Sequence, residues 1–249
     1  MSFTLGPALL FCPADRPERF ATAAARVDAV ILDLEDAVAP DEKEAARDRV
    51  VEFLNAGAQA WVRVNDASSD FWSADCRALA ECRGVKGVVL AKTEGGNHMW
   101  DTAARLGGEA PVIALIETAR GLSRVHDIAA ARPCFRIAFG VNDYTLDIGV
   151  EQDPLALAYS RSQLVVASRA AHIPGPIDGP TRDPDQLAEG VVGGGARRPR
   201  DLRRPGRHRA GGIRQLRLDV VRRHCAGGCG GAGEPADPRS AAAPRGGLR

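Results

Sequence analysis

The sequence predicts an α/β protein, a (βα)8 TIM barrel whose C-terminal end is incomplete. Short apolar runs recur along the first 180 residues, and their starts lie roughly 21 to 31 residues apart, close to one strand plus one helix. These runs are apolar throughout, as in parallel strands that are covered on both faces. Polar side chains follow nearly every run, and barrel enzymes build their sites from such positions on several strands.

Six of the apolar runs are expected to be strands, and a weaker seventh begins at His172. The six are ALLFC (8–12), AVILDL (29–34), AWVRV (60–64), GVVLA (87–91), PVIALI (111–116) and FRIAFG (135–140). Start and stop signals predict a helix from Pro40 to Leu54, with Gly57 as the stop signal after its end. Apolar residues at helical spacing predict a second helix from about Pro154 to Ala171. No Gly-x-Gly-x-x-Gly motif follows the first run, which favours a closed barrel over a dinucleotide-binding sheet.

The composition is that of a globular cytoplasmic protein. Hydrophobic residues make up 45% of the 249 residues and charged residues 26%. No apolar run approaches the ~18–20 residues that span a bilayer. The N-terminus lacks the basic start and cleavage site of a signal peptide, and the six cysteines form no framework typical of secreted proteins. We therefore expect a cytoplasmic location and no membrane partner.

The polar residues at the strand ends are rich in carboxylates and include one well-placed arginine, without a catalytic histidine. Glu117 and Asp143 follow neighbouring strands and could present oxygens to one Mg2+, which accepts one or two protein carboxylates. Arg63 could clamp the carboxylate of an α-keto or α-hydroxy acid through bidentate hydrogen bonds. The alternatives are that these acids simply pair with Arg63 or Lys92, and that Arg63 is an ordinary surface arginine.

Taken together, these segments resemble the citrate lyase β-subunit-like branch of the HpcH/HpaI aldolase family. The resemblance covers residues ~5 to ~187. It rests on LLFCPADRPERF (9–20), VILDLEDAVAPDEKEAAR (30–47), VRVND (62–66), ALIETARGL (114–122), FGVNDYTLDIG (139–149) and SRSQLVVASRAAHIPGPIDGPT (160–181).

The resemblance implies a Mg2+-dependent carbon–carbon lyase in which Mn2+ could replace Mg2+. Such an enzyme cleaves a 3-hydroxyacyl-CoA thioester of the citryl-, malyl- or citramalyl-CoA type to an acyl-CoA and a 2-keto acid. CoA is thus part of the substrate, and Arg16 is expected to meet its phosphate or the substrate. Intact members of the family are commonly homotrimers.

The resemblance also implies a role for each of the other site residues. Glu117 and Asp143 would hold the metal. Arg63 would grip the keto acid and stabilise charge on its oxygen. Glu35 and Asp36 would act catalytically, by shaping the second shell of the metal or by transferring protons.

The resemblance ends near residue 187, which separates a lyase domain (1–187) from a tail (188–249). Residues 191–249 contain 14 arginines, no lysine and four acidic residues, a net charge of +10, whereas the whole chain carries +1. They contain no aromatic residue and nothing that resembles the eighth strand of the family. We interpret the tail as disordered or as the product of a shifted reading frame, and we expect the chain to be poorly stable and inactive.

Two other functions stay open at this point. One is a Mg2+-dependent aldolase that acts on free 2-keto acids without CoA. The other is a non-catalytic protein whose basic tail binds nucleic acid, which the missing aromatic residues and the missing regular RGG repeat make unlikely.

Overall fold

The computed structural model describes residue 6, residues 8–179 and a two-residue strand at 217–218. Its main feature is a curled parallel sheet in which the first six strands pair in chain order. The strands are β1 (Ala8–Pro13), β2 (Ala29–Asp33), β3 (Ala60–Val64), β4 (Val85–Leu90), β5 (Val112–Ile116) and β6 (Cys134–Phe139). All six strands that the sequence predicted are confirmed.

The two edges of this sheet show how far the barrel extends. At one edge, β7 (Arg217–Leu218) pairs in parallel with β1. At the other edge, Ile177 forms a single parallel bridge with Ala138 on β6, where the weak seventh strand was expected. No described strand joins these two edges, so the described sheet is an incomplete barrel, as predicted. The rest of the tail lies outside the described residues, and its boundary, origin and disorder stay predictions.

Helices follow the strands along the chain. They are α1 (Phe20–Ala24), α2 (Lys43–Asn55), α3 (Trp72–Ala80), α4 (Gly96–Arg105), α5 (Ala119–Ser123), α6 (Val125–Ala130), α7 (Val141–Ile148) and α8 (Ala158–Ala170). The predicted helix at Pro40 begins with a 3-10 turn and continues as α2. Within the described part of the chain, no helix has the length and apolar character needed to cross a membrane.

The last helix begins later than the sequence predicted. We expected it to start near Pro154, but α8 starts at Ala158. Asp153 Oδ1 accepts hydrogen bonds from the backbone N–H groups of Leu155 (2.8 Å) and Ala156 (3.0 Å). A side chain that satisfies these backbone donors stabilises a turn in place of the first helical turn.

The sheet separates two apolar layers, which is why its strands are apolar throughout. The larger layer lies between the strands and the helices and includes Leu32, Val62 and Leu90. The smaller layer fills the concave side, and its buried members are Leu9, Ile31, Trp61, Val89, Ile113, Leu115, Ala138 and Ile177. Successive strand residues point to opposite faces, so an alternating pattern would have left one layer polar.

Gly87 on β4 provides the space that the largest of these inner side chains needs. The pairing of β3 with β4 shifts register between Ala60 and Trp61, opposite Val85 and Gly87. A Cβ atom on Gly87 would lie 2.6 Å from Pro111 O and 2.7 Å from Cη2 of the Trp61 ring. Its φ of +156° is also a backbone angle that residues with a side chain rarely adopt.

We predict that Gly87→Ala lowers the free energy of unfolding by about 3 kcal/mol, because the new methyl group overpacks a backbone oxygen and the Trp61 ring. Urea denaturation followed by circular dichroism measures the change. Gly107→Ala is the control: Gly107 also has positive φ, but an added Cβ meets nothing within 4 Å. It should cost about 1 kcal/mol. Equal losses in the two variants would contradict the close approach at Gly87.

A buried lysine ties the start of α2 to the ends of β2 and β3. Lys43 is 7% exposed, and its Nζ donates to Leu34 O (2.7 Å), Glu35 O (2.7 Å) and Asn65 Oδ1 (2.8 Å). Asn65 Nδ2 in turn donates to Asp75 Oδ2 on α3 at 2.7 Å. All three ammonium protons can therefore be used, and the backbone that carries Glu35 is held in place.

We predict that Lys43→Met lowers the free energy of unfolding by about 3 kcal/mol, because two buried carbonyls and an amide oxygen lose their donor. Thermal and urea unfolding should agree on this loss. Lys86→Met is the control, because Lys86 lies near the start of β4, away from this network. The variant also removes one positive charge and should change stability by no more than about 0.5 kcal/mol. A loss at position 43 no greater than that at position 86 would refute the prediction.

Candidate active site

Arg63 on β3 is the centre of the polar cluster at the carboxyl ends of the strands. Its partner in strand pairing is Asp33, the last residue of β2. Arg63 Nε donates to Asp33 Oδ1 at 2.7 Å and Nη2 donates to Asp33 Oδ2 at 2.6 Å. This bidentate pair is buried, with side-chain exposures of 11% and 4%. It fixes the plane of the guanidinium group.

The outer part of the guanidinium faces two further carboxylates. Arg63 Nη1 lies 2.9 Å from Glu35 Oε2 and donates to Asp36 Oδ2 at 3.5 Å. The Phe11 ring on β1 packs against it, with its centroid 4.9 Å from Arg63 Cζ. Burial alone lowers the pKa of Arg63, but the charge and hydrogen bonds of Asp33 and the charge of Glu35 outweigh burial and hold it above its ordinary value. Arg63 therefore stays charged at any working pH.

Lys92, two residues beyond β4, is the second cation of the cluster. Its Nζ donates to Glu35 Oε1 at 2.6 Å and lies 3.8 Å from Asp36 Oδ1 and 3.9 Å from Asp143 Oδ2. Burial lowers the pKa of Lys92, but the hydrogen bond and charge of Glu35 raise it more, so the amine stays protonated. The residue has φ = 42°, in the left-handed region that side chains other than glycine rarely enter.

Glu117 follows β5 and is, with Asp33, one of the two most deeply buried carboxylates of the cluster. It is 2% exposed, and its Oε1 accepts a hydrogen bond from the backbone N–H of Lys92 at 2.7 Å. Burial raises its pKa to about 8, against the lowering effects of that hydrogen bond and of Arg63. Gly140, directly after β6, lies against the other carboxylate oxygen, where any Cβ would collide with Glu117. The missing side chain thus leaves room for this carboxylate.

Asp143 lies in the first turn of α7, and its side chain is 32% exposed. Its negative charge contributes to the raised pKa of Glu117, so the two carboxylates share one electrostatic environment. Both of them line the same cavity. Three metal-binding side chains of the His, Cys, Asp and Glu types do not come together anywhere in residues 8–179. A metal at this position would therefore have few protein ligands, which is typical of Mg2+.

The cavity has a volume of about 850 Å3 and reaches from the cluster to the region around α1. Asp33, Asp36, Arg63, Glu117, Gly140 and Asp143 line its inner part. Arg19 and Arg26, which flank α1, line its outer part. Arg16 is not among the lining residues; its side chain is 53% exposed and its Nε lies 3.6 Å from Asp15 Oδ2. Arg16 precedes the 3-10 turn at 17–19, whereas Arg19 is the last residue of that turn.

Five of the six residues singled out in the sequence lie together in this cluster, and Arg16 stands apart from it. The sequence analysis did not identify Asp33 or Lys92 as site residues, and it considered Lys92 only as a possible partner of the acids. A signal for Asp33 was available, because neighbouring parallel strands bring their last residues side by side. Nothing in the sequence indicated the left-handed backbone of Lys92.

Comparisons with known proteins identify a family and several similar chains. Residues 8–194 match the family model described as HpcH/HpaI aldolase/citrate lyase. The chain is 42% identical over 144 residues to a citrate lyase subunit beta-like protein of Mycobacterium tuberculosis, covering 58% of this chain and 50% of that protein. It is 31% identical over 178 residues to an L-malyl-CoA/beta-methylmalyl-CoA lyase of Cereibacter sphaeroides, covering 61% and 55%.

Solved structures show the same fold. The protein CitE from Mycobacterium tuberculosis, in complex with magnesium, acetoacetate and coenzyme A, superposes with a TM-score of 0.65 at 34% identity, covering 76% of this chain and 71% of that one. The chain spans about half the length of the curated relatives that it matches. Since the family model matches residues 8–194, which is most of the chain, the chain belongs to the HpcH/HpaI aldolase/citrate lyase family.

Proposed function

We propose that this chain carries the catalytic centre of a Mg2+-dependent carbon–carbon lyase that cleaves a 3-hydroxyacyl-CoA thioester to an acyl-CoA and a 2-keto acid. The observation that carries the proposal is the arrangement of Arg63, Glu117 and Asp143 around one cavity. Relatives named as L-malyl-CoA/beta-methylmalyl-CoA lyase and a related structure that holds magnesium, acetoacetate and coenzyme A support the same class of reaction.

Three features of the described residues fit a divalent cation at Glu117 and Asp143. Gly140 leaves space beside the carboxylate of Glu117. Glu35 Oε2 is buried and has no hydrogen-bond partner among the described residues, since its 2.9 Å approach to Arg63 Nη1 lacks hydrogen-bond alignment. The cluster has more carboxylates than cations. When bound, Mg2+ would lower the pKa of the substrate hydroxyl group and stabilise negative charge on its oxygen.

Arg63 would bind the carboxylate of the keto acid. A guanidinium has five N–H groups, and Asp33 occupies Nε and one hydrogen of Nη2, so donors remain on the side that lines the cavity. Because Asp33 holds the guanidinium plane, Arg63 would not need to reorganise as charge develops on the substrate. The bound acid would thus lie beside Glu117 and Asp143.

Asp36 is the carboxylate best placed to transfer a proton. It lines the cavity and its side chain is 52% exposed, whereas Glu35 is held by Arg63 and Lys92. Asp36 would take the proton of the substrate hydroxyl group as the carbon–carbon bond breaks. The same proton could then be returned to the enolate carbon of the acyl-CoA, so that no proton is gained or lost overall.

The size of the cavity favours a CoA thioester over a free keto acid. A volume of about 850 Å3 is near the upper end for small-ligand sites and leaves room for a ligand larger than a keto acid. Arg19 and Arg26 add positive charge at its outer part, where phosphate groups of CoA could bind. The contact of Arg16 with CoA phosphate or substrate stays a prediction. Because Arg19 lines the cavity and Arg16 does not, Arg19 is the stronger candidate for that contact.

The remaining expectations about the whole protein stay proposals. They are a homotrimeric assembly, a cytoplasmic location and the absence of nucleic-acid binding. The tail on which a nucleic-acid interaction would depend lies outside the described residues.

We predict that the metal-free chain loses stability as the pH rises from about 5 to about 8, through the ionisation of Glu117. In the folded chain its pKa is about 8, against an ordinary value of 4.5, so in this window the folded state holds a proton that the unfolded state has released. Urea unfolding in the presence of a chelator should show that Glu117→Gln lacks this loss. Glu52→Gln, on the exposed face of α2, is the control and should follow the unmodified chain. Parallel curves for all three proteins would contradict the raised pKa.

We predict that cleavage of malyl-, citramalyl- or citryl-CoA by the purified chain requires Mg2+ or Mn2+. We also predict that Arg63→Lys lowers kcat/KM by about 100-fold or more, because lysine cannot make the bidentate contact. Acyl-CoA release followed by chromatography measures the rate. Arg49→Lys, on an exposed part of α2, is the matched control and should retain the activity of the unmodified chain.

The same assay separates the alternatives. Turnover of free hydroxy-keto acids with none of the CoA thioesters would replace the proposed lyase by an aldolase. A folded chain that binds Mn2+ and turns over neither substrate class would agree with the inactivity expected from the incomplete barrel. Turnover that survives both a chelator and Arg63→Lys would overturn the proposed function.

A further inference from the structure

Lys92 contacts both of the carboxylates to which we assign the metal. Its backbone N–H donates to Glu117 Oε1 at 2.7 Å, and its Nζ lies 3.9 Å from Asp143 Oδ2. Its Nζ also donates to Glu35 Oε1 at 2.6 Å and lies 3.8 Å from Asp36 Oδ1. One residue therefore reaches four carboxylates that follow three different strands.

The backbone of Lys92 pays a conformational cost for this arrangement. Its φ of 42° is one of only two positive values among the non-glycine residues that the structure describes, the other being that of His172. A left-handed residue of this kind is retained where the surroundings hold it in place, often at functional sites. Here the N–H group is directed at Glu117 while the ammonium group is directed at Glu35.

We propose that the Lys92 ammonium group acts as an internal counter-ion that competes with the metal and so limits its affinity. Without metal, it neutralises the carboxylates on the open side of the cluster, where Arg63 does not reach Asp143. A divalent cation between Glu117 and Asp143 would lie within several ångströms of this ammonium group and would be repelled by it. Lys92 is thus a positioning residue for the carboxylates and not itself a metal ligand.

This inference rests on the proposed function, because it assumes that Glu117 and Asp143 bind a divalent cation. It concerns affinity for the metal and can be tested without measuring catalysis. It also predicts that removing the charge of Lys92 strengthens metal binding, whereas a purely structural role predicts the opposite change. If Lys92 only kept the carboxylates in place, its removal would weaken metal binding.

The test is a Mn2+ titration of the full chain followed by electron paramagnetic resonance, which counts free Mn2+. We expect Lys92→Met and Lys92→Gln to bind Mn2+ about tenfold more tightly than the unmodified chain, because both remove the charge. The glutamine variant keeps a donor for Glu35, so it serves if the methionine variant does not fold. Lys92→Arg keeps the charge, and Lys86→Met removes a charge at the other end of β4; both should change the affinity by less than about twofold.

The outcomes separate this inference from the proposed function. If the unmodified chain binds Mn2+ and neither neutral variant binds it more tightly, the counter-ion role is wrong and the metal site stands. If the unmodified chain binds weakly or not at all and the neutral variants bind, the counter-ion role is supported. If none of the proteins binds Mn2+, both the metal site and the counter-ion role are wrong.

Discussion

The constraint on which the site depends is the burial of negative charge at the mouth of the barrel. Asp33, Glu35 and Glu117 are each no more than 5% exposed, and desolvation disfavours a carboxylate charge in such a place. Arg63 and Lys92 compensate part of this charge through short contacts. The pairing of Arg63 with Asp33 is the most complete of these contacts, since two parallel hydrogen bonds join two groups buried at the ends of neighbouring strands.

Arg63 and Lys92 leave the negative charge of Glu117 uncompensated, and this supports the proposed metal site. The pKa of Glu117 is raised to about 8 by burial, which means that its charged form lacks sufficient compensation in the metal-free chain. A divalent cation would supply that compensation and make the carboxylate a ligand at neutral pH. The alternative, that these acids simply pair with Arg63 or Lys92, therefore applies to Asp143, which lies 3.9 Å from Lys92 Nζ, but Glu117 makes no ion pair among the described residues. Arg63 and Lys92 do pair with Asp33 and Glu35, but Glu117 is left with a single backbone hydrogen bond.

The supporting structure places these groups by simple means. Parallel strands in chain order align their carboxyl ends, so side chains that are distant in sequence share one edge of the sheet. The buried ammonium group of Lys43 holds the backbone at Glu35 by donating a hydrogen bond to its carbonyl oxygen. Gly140 keeps the space beside Glu117 open. Each of these residues fixes the position of a neighbouring group of the cluster.

The sequence by itself determined the six strands, the helix at α2 and the family, and it singled out five residues that the structure brings into one cluster. Short apolar runs that recur at the length of one strand plus one helix indicate buried parallel strands, and the polar residue after each run then emerges at the same edge of the sheet. Tertiary structure alone decided which groups pair. The register of β2 and β3 joins Asp33 to Arg63. Arg16 precedes a short 3-10 turn and lies outside the cavity that Arg19 lines. A left-handed backbone at Lys92 accompanies its contacts with both Glu117 and Asp143. These choices depend on distances between elements far apart along the chain, and no local pattern of residues encodes such distances.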